Sequence, residues 1–391
     1  MARRHYLKAI NRSAILNVIR THGPIARADI ARRTGLSPAT VTGQTAELIQ
    51  DGLIFEKQEG DSRGGRRPVL LALVEDGIYV AGIKLAEDRA SLAITDLNAE
   101  VIVNQEIKLE SRDPQAVSEH LAQALRHEMA AHDLAFSRLL GLGVGLAGIV
   151  DSAKGICRLS PFNNWFDVPF AEYLEELLER PVYLDNDVNT LTLMEKLYGL
   201  GQHVDNFLVV TIGRGVGLGI VIDGEIYRGA RGGAGEFGHM VIDPAGLETD
   251  GERGTLETFV AEPWLVRRAQ LQGLNIDSIE AFTQLGRDGD PVVTGLLAQA
   301  GEVLGQSLAN LVSLFDPSLI ILSGEGVRLG ESLFTPMRAA LEMYSFANMF
   351  DEVILRIEPL SDVAWARGAA SLVLGRVFHR PDPDQIELVN L

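Results

Sequence analysis

The sequence predicts an α/β protein in two parts, a small winged helix-turn-helix over residues 1–74 and a larger α/β body over residues 75–391. Three observations carry that reading. Of the chain's 35 Lys+Arg and 53 Asp+Glu, residues 1–70 hold 12 and 6, a net of +6, which leaves 23 against 47, a net of −24, for the remainder. Short helical stretches punctuated by glycine, then a Gly/Arg-rich hairpin, fill the first part. Apolar strand-like runs and amphipathic helical stretches fill the second.

In the first part, Ile15, Val18 and Ile19 recur at helical spacing until Gly23-Pro24 breaks the helix. A second helix over 27–34 stops at Gly35. Ser37 then caps a third, whose Val41, Leu48 and Ile49 point inward while Ser37, Ala39, Thr40, Thr42 and Gln44 lie toward its N-terminal and outward side. Helix, glycine turn and Ser-capped helix is the helix-turn-helix pattern, in which the last helix enters the major groove. After Asp51-Gly52, strands over 53–57 and 69–73 flank a winged hairpin with the tip Arg63-Gly64-Gly65-Arg66-Arg67-Pro68. Glycines between arginines suit a narrow minor groove or a phosphate clamp. A plain helical bundle with solvated basic loops is the bland alternative. The basic wing directly after a recognition-like helix argues against it, so operator DNA is the expected partner and Ser37, Ala39, Thr40, Thr42, Gln44, Arg63, Arg66 and Arg67 the expected contacts. The chain's overall acidity does not oppose this, because affinity for phosphates is set by the face presented to them.

In the body, residues 78–109 read as three strands, 113–132 as an amphipathic helix, and 140–151 as a strand running into Ala147-Gly148. Asn163, Asn164 and Trp165 follow in a loop, where the indole suits either sugar stacking or a core lid. Leu184-Asp185-Asn186-Asp187 ends an apolar run, and a helix over 187–200 puts Asp187 at its N-terminus, where the dipole favours the ionised carboxylate. Gly213, Gly215, Gly217 and Gly219 form a glycine-rich turn between two apolar runs. The stretch GAGEFGHMVIDPAGLETDGERGTLE follows over 233–257. A helical region over 256–316, with a turn at 286–289, leads to Pro317 and a strand over 319–323; residues 379–391 are an acidic tail containing prolines. The single cysteine, Cys157, excludes an internal disulfide and suits a reducing compartment. No apolar run spans a bilayer and no secretory signal is legible, so a soluble cytoplasmic protein without membrane partners is expected.

The chemistry concentrates at Asn186, Asp187, Glu236, His239 and Glu257. Sugar hydroxyls both donate and accept, and carboxylates joined by one amide and one imidazole satisfy them with charge-assisted bonds. An isolated Glu-x-x-His on a Gly-rich loop is more often a surface or capping pair. In company with Asn186, Asp187 and Glu257 it points to a ligand.

These motifs in this order resemble the ROK family of repressors, uncharacterised members and kinases, over about Gly77 to Val377. The sugar motifs are Asn186-Asp187, Gly235-Glu236-Phe237-Gly238-His239 and Gly254-Thr255-Leu256-Glu257, with Gly224 and Gly229 between. The resemblance implies a two-lobed actin-like ATPase (ribonuclease H-like) fold and a sugar bound between the lobes, with Gly148 and Asn164 beside it. Family repressors carry a winged helix-turn-helix ahead of this domain, and kinases do not. Two departures bear on activity. The family's zinc-binding Cys-x-Cys-Gly-x-x-Gly-Cys is replaced by Glu248, Asp250 and Thr255, so no thiolate zinc site forms and no cofactor is expected. The first phosphate loop, Asp-x-Gly-Gly-Thr in kinases, reads Lys84-Leu85-Ala86-Glu87-Asp88, and Arg214 stands where the second usually has threonine. Leu322-Ser323-Gly324-Glu325-Gly326, beside the adenosine in kinases, is expected to be only a turn.

The expectation is therefore a non-enzymatic, sugar-responsive transcriptional repressor of carbohydrate genes, resembling the family's xylose-repressor branch. Asp187 would be a vestigial base. The protein would be a homo-oligomer, dimer or tetramer, whose winged helices change spacing on sugar binding. The alternatives are a working sugar kinase with an attached DNA-binding module, or a regulator controlled by a protein partner.

Overall fold

The computed structural model describes residues 2–57, 69–74, 76–246, 248–249 and 252–378. The chain divides into two compact units, Met1–Leu193 with Trp365–Leu391, and Met194–Ala364.

The first unit begins with helices α1 (Ala2–His22), α2 (Arg27–Thr34) and α3 (Pro38–Gln50), and strands β1 (Ile25–Ala26), β2 (Ile54–Lys57) and β3 (Leu70–Leu73). Ile15, Leu16, Ile19, Ile30, Val41 and Leu48 form the module's buried interior. Ile49, expected to point inward, is half-buried, as is Val18. Gly35, at φ 70°, ends α2, and the Ser37 hydroxyl accepts the Thr40 N–H at 3.1 Å to start α3. Strands β2 and β3 pair antiparallel as the wing expectation requires. The two-residue β1, not foreseen, pairs with the other edge of β3. The expected wing tip, with Arg63, Arg66 and Arg67, lies outside the described residues.

The five-stranded sheet of this unit contains β4 (Tyr79–Leu85), β5 (Arg89–Thr95), β6 (Val101–Lys108), β7 (Leu139–Leu146) and β11 (Val182–Asn186), in the order β11-β7-β4-β5-β6. Strands β4, β5 and β6 are antiparallel; β7 and β11 add in parallel. Helix α4 (Pro114–Ala131), capped by Asp113, precedes β7. A three-stranded sheet, β8 (Ile149–Asp151), β9 (Ile156–Ser160) and β10 (Trp165–Val168), and helix α5 (Phe170–Leu178) lead to β11. The expected strand over 140–151 is thus two strands, broken at Ala147-Gly148, because Gly148 turns the backbone at φ 131° and a side chain there would overlap the Leu159 carbonyl. Helix α6 (Asp187–Tyr198) follows β11 without a break and crosses into the second unit.

The second unit repeats that strand order. Its sheet contains β12 (Phe207–Ile212), β13 (Val216–Ile222), β14 (Glu225–Ile226), β17 (Leu319–Ser323) and β18 (Ile354–Ile357), ordered β14-β13-β12-β17-β18. The first three strands are antiparallel, and β17 and β18 are parallel to β12. The small hairpin β15 (Glu248–Thr249) and β16 (Glu252–Arg253) lies between. The helical region foreseen over 256–316 is four helices, α7 (Leu256–Val260), α8 (Glu262–Leu271), α9 (Ile279–Arg287) and α10 (Pro291–Phe315), and α11 (Glu331–Tyr344) packs on α10. Each unit therefore carries one antiparallel-then-parallel sheet of the kind the actin-like expectation named. Helix α12 (Asp362–Phe378) returns the chain to the first unit. There Gly82 and Gly143 let its backbone lie directly on the sheet, at Ala366, Ala369 and Ala370.

Candidate functional site

In open parallel sheets, ligands gather at the carboxyl ends of the strands. In the first unit, Lys84 on β4 stands opposite Gly145 on β7, and Gly145 stands opposite Asp185 on β11. Gly145 contributes no side chain; a Cβ there would come within 3.4 Å of the Asp187 Cα. Across that gap Lys84 Nζ donates to Asp187 Oδ2 in a short ion pair. The two side chains are 18% and 11% exposed. Asp187 Oδ1 accepts the Val188 N–H at 2.9 Å, which Asn186 Oδ1 shares at 2.9 Å. The face of Trp365, at the start of α12, lies 4.7 Å from the Lys84 ammonium. Such a contact adds about 0.5–2 kcal/mol to holding a cation in place.

Asn186 Nδ2 donates to the Gly148 carbonyl at 3.0 Å, so Asn186, Asp187 and Gly148 are brought together as the sequence predicts. Asn164 is exposed, in a left-handed turn at φ 56°, while its neighbour Asn163 is buried and donates to Ser160 Oγ at 3.0 Å. Ser160 lies against Gly148, so Asn163 is the amide of this loop tied to the Gly148 turn. Trp165 is resolved in favour of the core lid. Its indole is 3% exposed, packs 4.7 Å from the Phe170 ring and donates Nε1–H to the Arg112 carbonyl at 2.7 Å.

In the second unit, Gly235-Glu236-Phe237-Gly238-His239 lies on β13. Phe237 is its buried anchor, and Gly235, at φ 93°, lets the Leu218 N–H reach the Gly235 carbonyl at 3.2 Å. Glu236 and His239 are partly exposed and adjacent, Oε2 to Nε2 3.6 Å. Glu257, in the first turn of α7, accepts the Val216 N–H at 3.2 Å, and its Oε2 lies 2.8 Å from where a Gly238 side chain would begin. Glu236, His239 and Glu257 therefore share one small surface of this unit.

The loop that cysteines and zinc hold in the family is tied here by backbone bonds. Leu256 N–H donates to Met240 at 2.9 Å, and the N–H groups of Ile242 and Asp243 donate to Gly254 at 2.8 and 3.0 Å. Glu248, Asp250 and Thr255 supply no thiolate, so this donor set does not fit a Cys₃His zinc site. Asp250 lies outside the described residues.

The glycine-rich turn is crowded by carboxylates that the sequence reading did not connect to it. Glu325 packs directly on Gly213, whose carbonyl accepts the Glu262 N–H at 2.9 Å, and Glu257 Oε2 lies 3.1 Å from where a Gly215 side chain would begin. Glu262 is buried; it accepts Arg328 Nη2 at 2.6 Å, and its other oxygen has no hydrogen-bond partner among the described residues. Burial raises the Glu262 carboxyl above its ordinary range, opposed by the Arg328 charge. A polyphosphate approaching this turn would meet carboxylates.

On α3, Ser37, Ala39 and Thr42 are exposed, while Thr40 and Gln44 are half-buried. Thr42 Oγ1 donates to the Pro38 carbonyl at 2.8 Å, and Gln44 Oε1 is buried without a hydrogen-bond partner among the described residues, so Gln44 faces outward less than the helical pattern predicts. Sequence reasoning also missed Arg27, which ties the module together by donating to Thr45 Oγ1 at 3.0 Å on α3 and to Glu56 Oε1 at 2.8 Å on β2.

Comparison with known proteins agrees with both parts. A model described as the ROK family matches residues 80–376, and one described as winged helix-turn-helix DNA-binding matches residues 10–54. The xylose repressor of Bacillus subtilis (strain 168) is 29% identical over 370 residues, covering 94% of this chain and 96% of its own. A ROK family transcriptional regulator, a homologue of the Escherichia coli MLC protein, superposes with a TM-score of 0.86 at 28% identity, over 95% of this chain and 97% of its own. The ROK hexokinase of Thermus thermophilus, also 28% identical, gives a TM-score of 0.64 over 75% of this chain and 97% of its own.

Proposed function

The chain belongs to the ROK family, and from that premise we propose that it is a sugar-responsive DNA-binding transcriptional regulator, a repressor of carbohydrate uptake or catabolism genes. The observation that carries the reading is one chain holding a winged helix-turn-helix ahead of a sugar-type residue set whose would-be base, Asp187, is engaged by Lys84. The sugar contacts are Asn186, Asp187, Glu236, His239 and Glu257, with Gly148 and Asn164 beside them. The DNA contacts are Ser37, Ala39, Thr40, Thr42 and Gln44 on α3, and Arg63, Arg66 and Arg67 on the wing. The protein acts in the cytoplasm as a homo-oligomer, the arrangement that two-fold operators call for. Among the described residues no helix is long and apolar enough to cross a membrane.

Phosphoryl transfer needs a free base, a phosphate cradle and Mg²⁺ held by an acid. Here an ammonium occupies the acid's position and neutralises the base, and Glu325 covers Gly213 of the second loop. Both features support binding without turnover, and the site needs neither zinc nor nucleotide.

A thermal-shift screen of the protein against neutral sugars and sugar phosphates, each with and without Mg-ATP, tests the reading, because a ligand of the native state raises its stability by mass action. The expected result is a sugar response that Glu257→Gln abolishes, no response to Mg-ATP, and a change in operator affinity with the same sugar. ATP-dependent phosphorylation of that sugar would refute the non-enzymatic reading.

A further inference from the structure

We propose that Lys84 is itself a sugar-binding residue, which reads one unphosphorylated sugar hydroxyl jointly with Asp187; this rests on the sugar-sensor reading above. The geometry begins at the sheet. Lys84, Gly145 and Asp185 stand in register at the carboxyl ends of three parallel strands, and the bare Gly145 opens a path from Lys84 to Asp187. Gly82 lets α12 lie against the sheet, which brings Trp365 over the ammonium and fixes its direction. The pair is mostly shielded from water, at 18% and 11% exposure.

The chemistry of the pair selects its ligand. Asp187 spends one oxygen on the Val188 N–H and one on Lys84, yet a carboxylate offers about four acceptor sites and an ammonium three donors. A hydroxyl both donates and accepts, so a single one can give its proton to Asp187 and take one from Lys84 without separating them. The pair stays neutral and stays paired. A phosphate at the same point offers the carboxylate no proton at neutral pH and competes for Lys84, which leaves Asp187 unpaired and shielded beside a second anion. The residue that displaces the kinase acid thus gains a recognition role, and the hydroxyl that a kinase would phosphorylate is recognised unmodified.

Calorimetry on the full-length protein tests this with D-xylose, D-glucose and N-acetyl-D-glucosamine, the 6-phosphates of the latter two, D-xylose 5-phosphate, and the monodeoxy analogues of whichever sugar binds best. The expected result is that a neutral sugar binds at least tenfold more tightly than its phosphate. One deoxy position costs at least tenfold in the wild type, and that penalty alone collapses to less than threefold in Lys84→Met. A structural Lys84 would instead weaken the parent and every analogue equally, and that pattern overturns the proposal. So does tighter binding of a sugar phosphate. Lys84→Gln keeps an N–H donor without the charge and is expected to retain at least half of the lost penalty on a logarithmic scale. Should the Met variant melt below the assay temperature, a Gln variant with no change at that one position overturns the proposal and a selective change supports it. If no sugar binds the wild type, the sensor reading itself falls, an outcome distinct from sugar binding that ignores Lys84.

Discussion

At Gly238 a single hydrogen atom marks the difference between a working and a blocked surface. A methyl group there would begin 2.5 Å from the Val216 carbonyl oxygen and 2.8 Å from Glu257 Oε2, so both must give way. The carboxylate can swing aside, but the carbonyl is backbone and moves only with its strand. Gly238→Ala is therefore expected to abolish sugar-induced stabilisation while operator binding without sugar persists, and a variant with a full thermal shift would contradict the close approach. Cys157 shows what burial alone does to a single side chain. Its thiol is fully buried on β9, and burial pushes it up to about 12 from its ordinary 9.0. Because the folded value lies above the unfolded one, the thiol costs nothing below pH 9, and stability is lost as pH rises above 9 toward 12. Native protein at pH 8 should react with a thiol-specific disulfide reagent at under a tenth of the rate of urea-unfolded protein; equal rates would mean that β9 opens readily.

Among the elements, α3 depends on one side chain at its start and α12 on glycines beneath it. Helix α3 starts where Ser37 Oγ accepts the Thr40 N–H and Pro38 presets the first turn. Removing a Ser cap costs about 1 kcal/mol, so Ser37→Ala should lower the denaturation midpoint of the module and weaken operator binding, as urea melts and gel shifts will show. Helix α12 depends instead on the absence of side chains beneath it. A Cβ on Gly143 would overlap the Ala369 carbonyl, backbone against backbone, and Gly143→Ala should destabilise the protein by about 1–3 kcal/mol or more. Helices α3 and α4 were legible in the sequence because their signals are local, a Ser cap before the first and an amphipathic pattern along the second, whereas α7 to α10 ran together as one helical region. The motifs for Asn186, Asp187, Glu236, His239 and Glu257 were legible because each is a short string. The Lys84–Asp187 pair was not, since its partners are 103 residues apart and meet only through the register of three strands. Glu325 on Gly213 was hidden likewise, at the ends of β12 and β17. Trp165 stayed ambiguous for a different reason: its ring suits a core and a sugar equally, and only its burial decides.

Over the whole molecule, charge and mechanical continuity set what the sensor can do. The net of +6 on residues 1–70 and −24 on the remainder concentrates attraction for DNA in the N-terminal module. If Arg63, Arg66 and Arg67 each neutralise a phosphate, replacing all three by alanine should reduce the salt dependence of operator binding by about 3 units of log–log slope. Within the first unit, one helix runs from the Lys84–Asp187 pair to α1 of that module. At its start, Trp365 covers the Lys84 ammonium; at its end, the Phe378 ring receives the Arg20 guanidinium of α1 at 5.4 Å. The interval from Trp365 to Phe378 is about 20 Å of helix. Between those points Ala366, Ala369 and Ala370 lie directly on Gly82 and Gly143, and Gly368 lies on Thr190 and Leu191 of α6, so the helix has no slack with which to absorb a displacement. A helix this firmly seated moves with the sheet that carries Lys84, and α1 is attached to its far end. Coupling between two sites requires an element that both of them bias; α12 touches the Lys84 ammonium at one end and, at the other, α1 of the DNA-binding module. Phe378→Ala should therefore leave sugar affinity within about twofold while reducing the sugar-induced change in operator affinity at least fivefold, a loss on the scale of ordinary coupling energies of about 1–3 kcal/mol. Sugar calorimetry on the free protein and operator titrations with and without sugar measure the two quantities separately, and an unchanged operator response in this variant would remove α12 from the path.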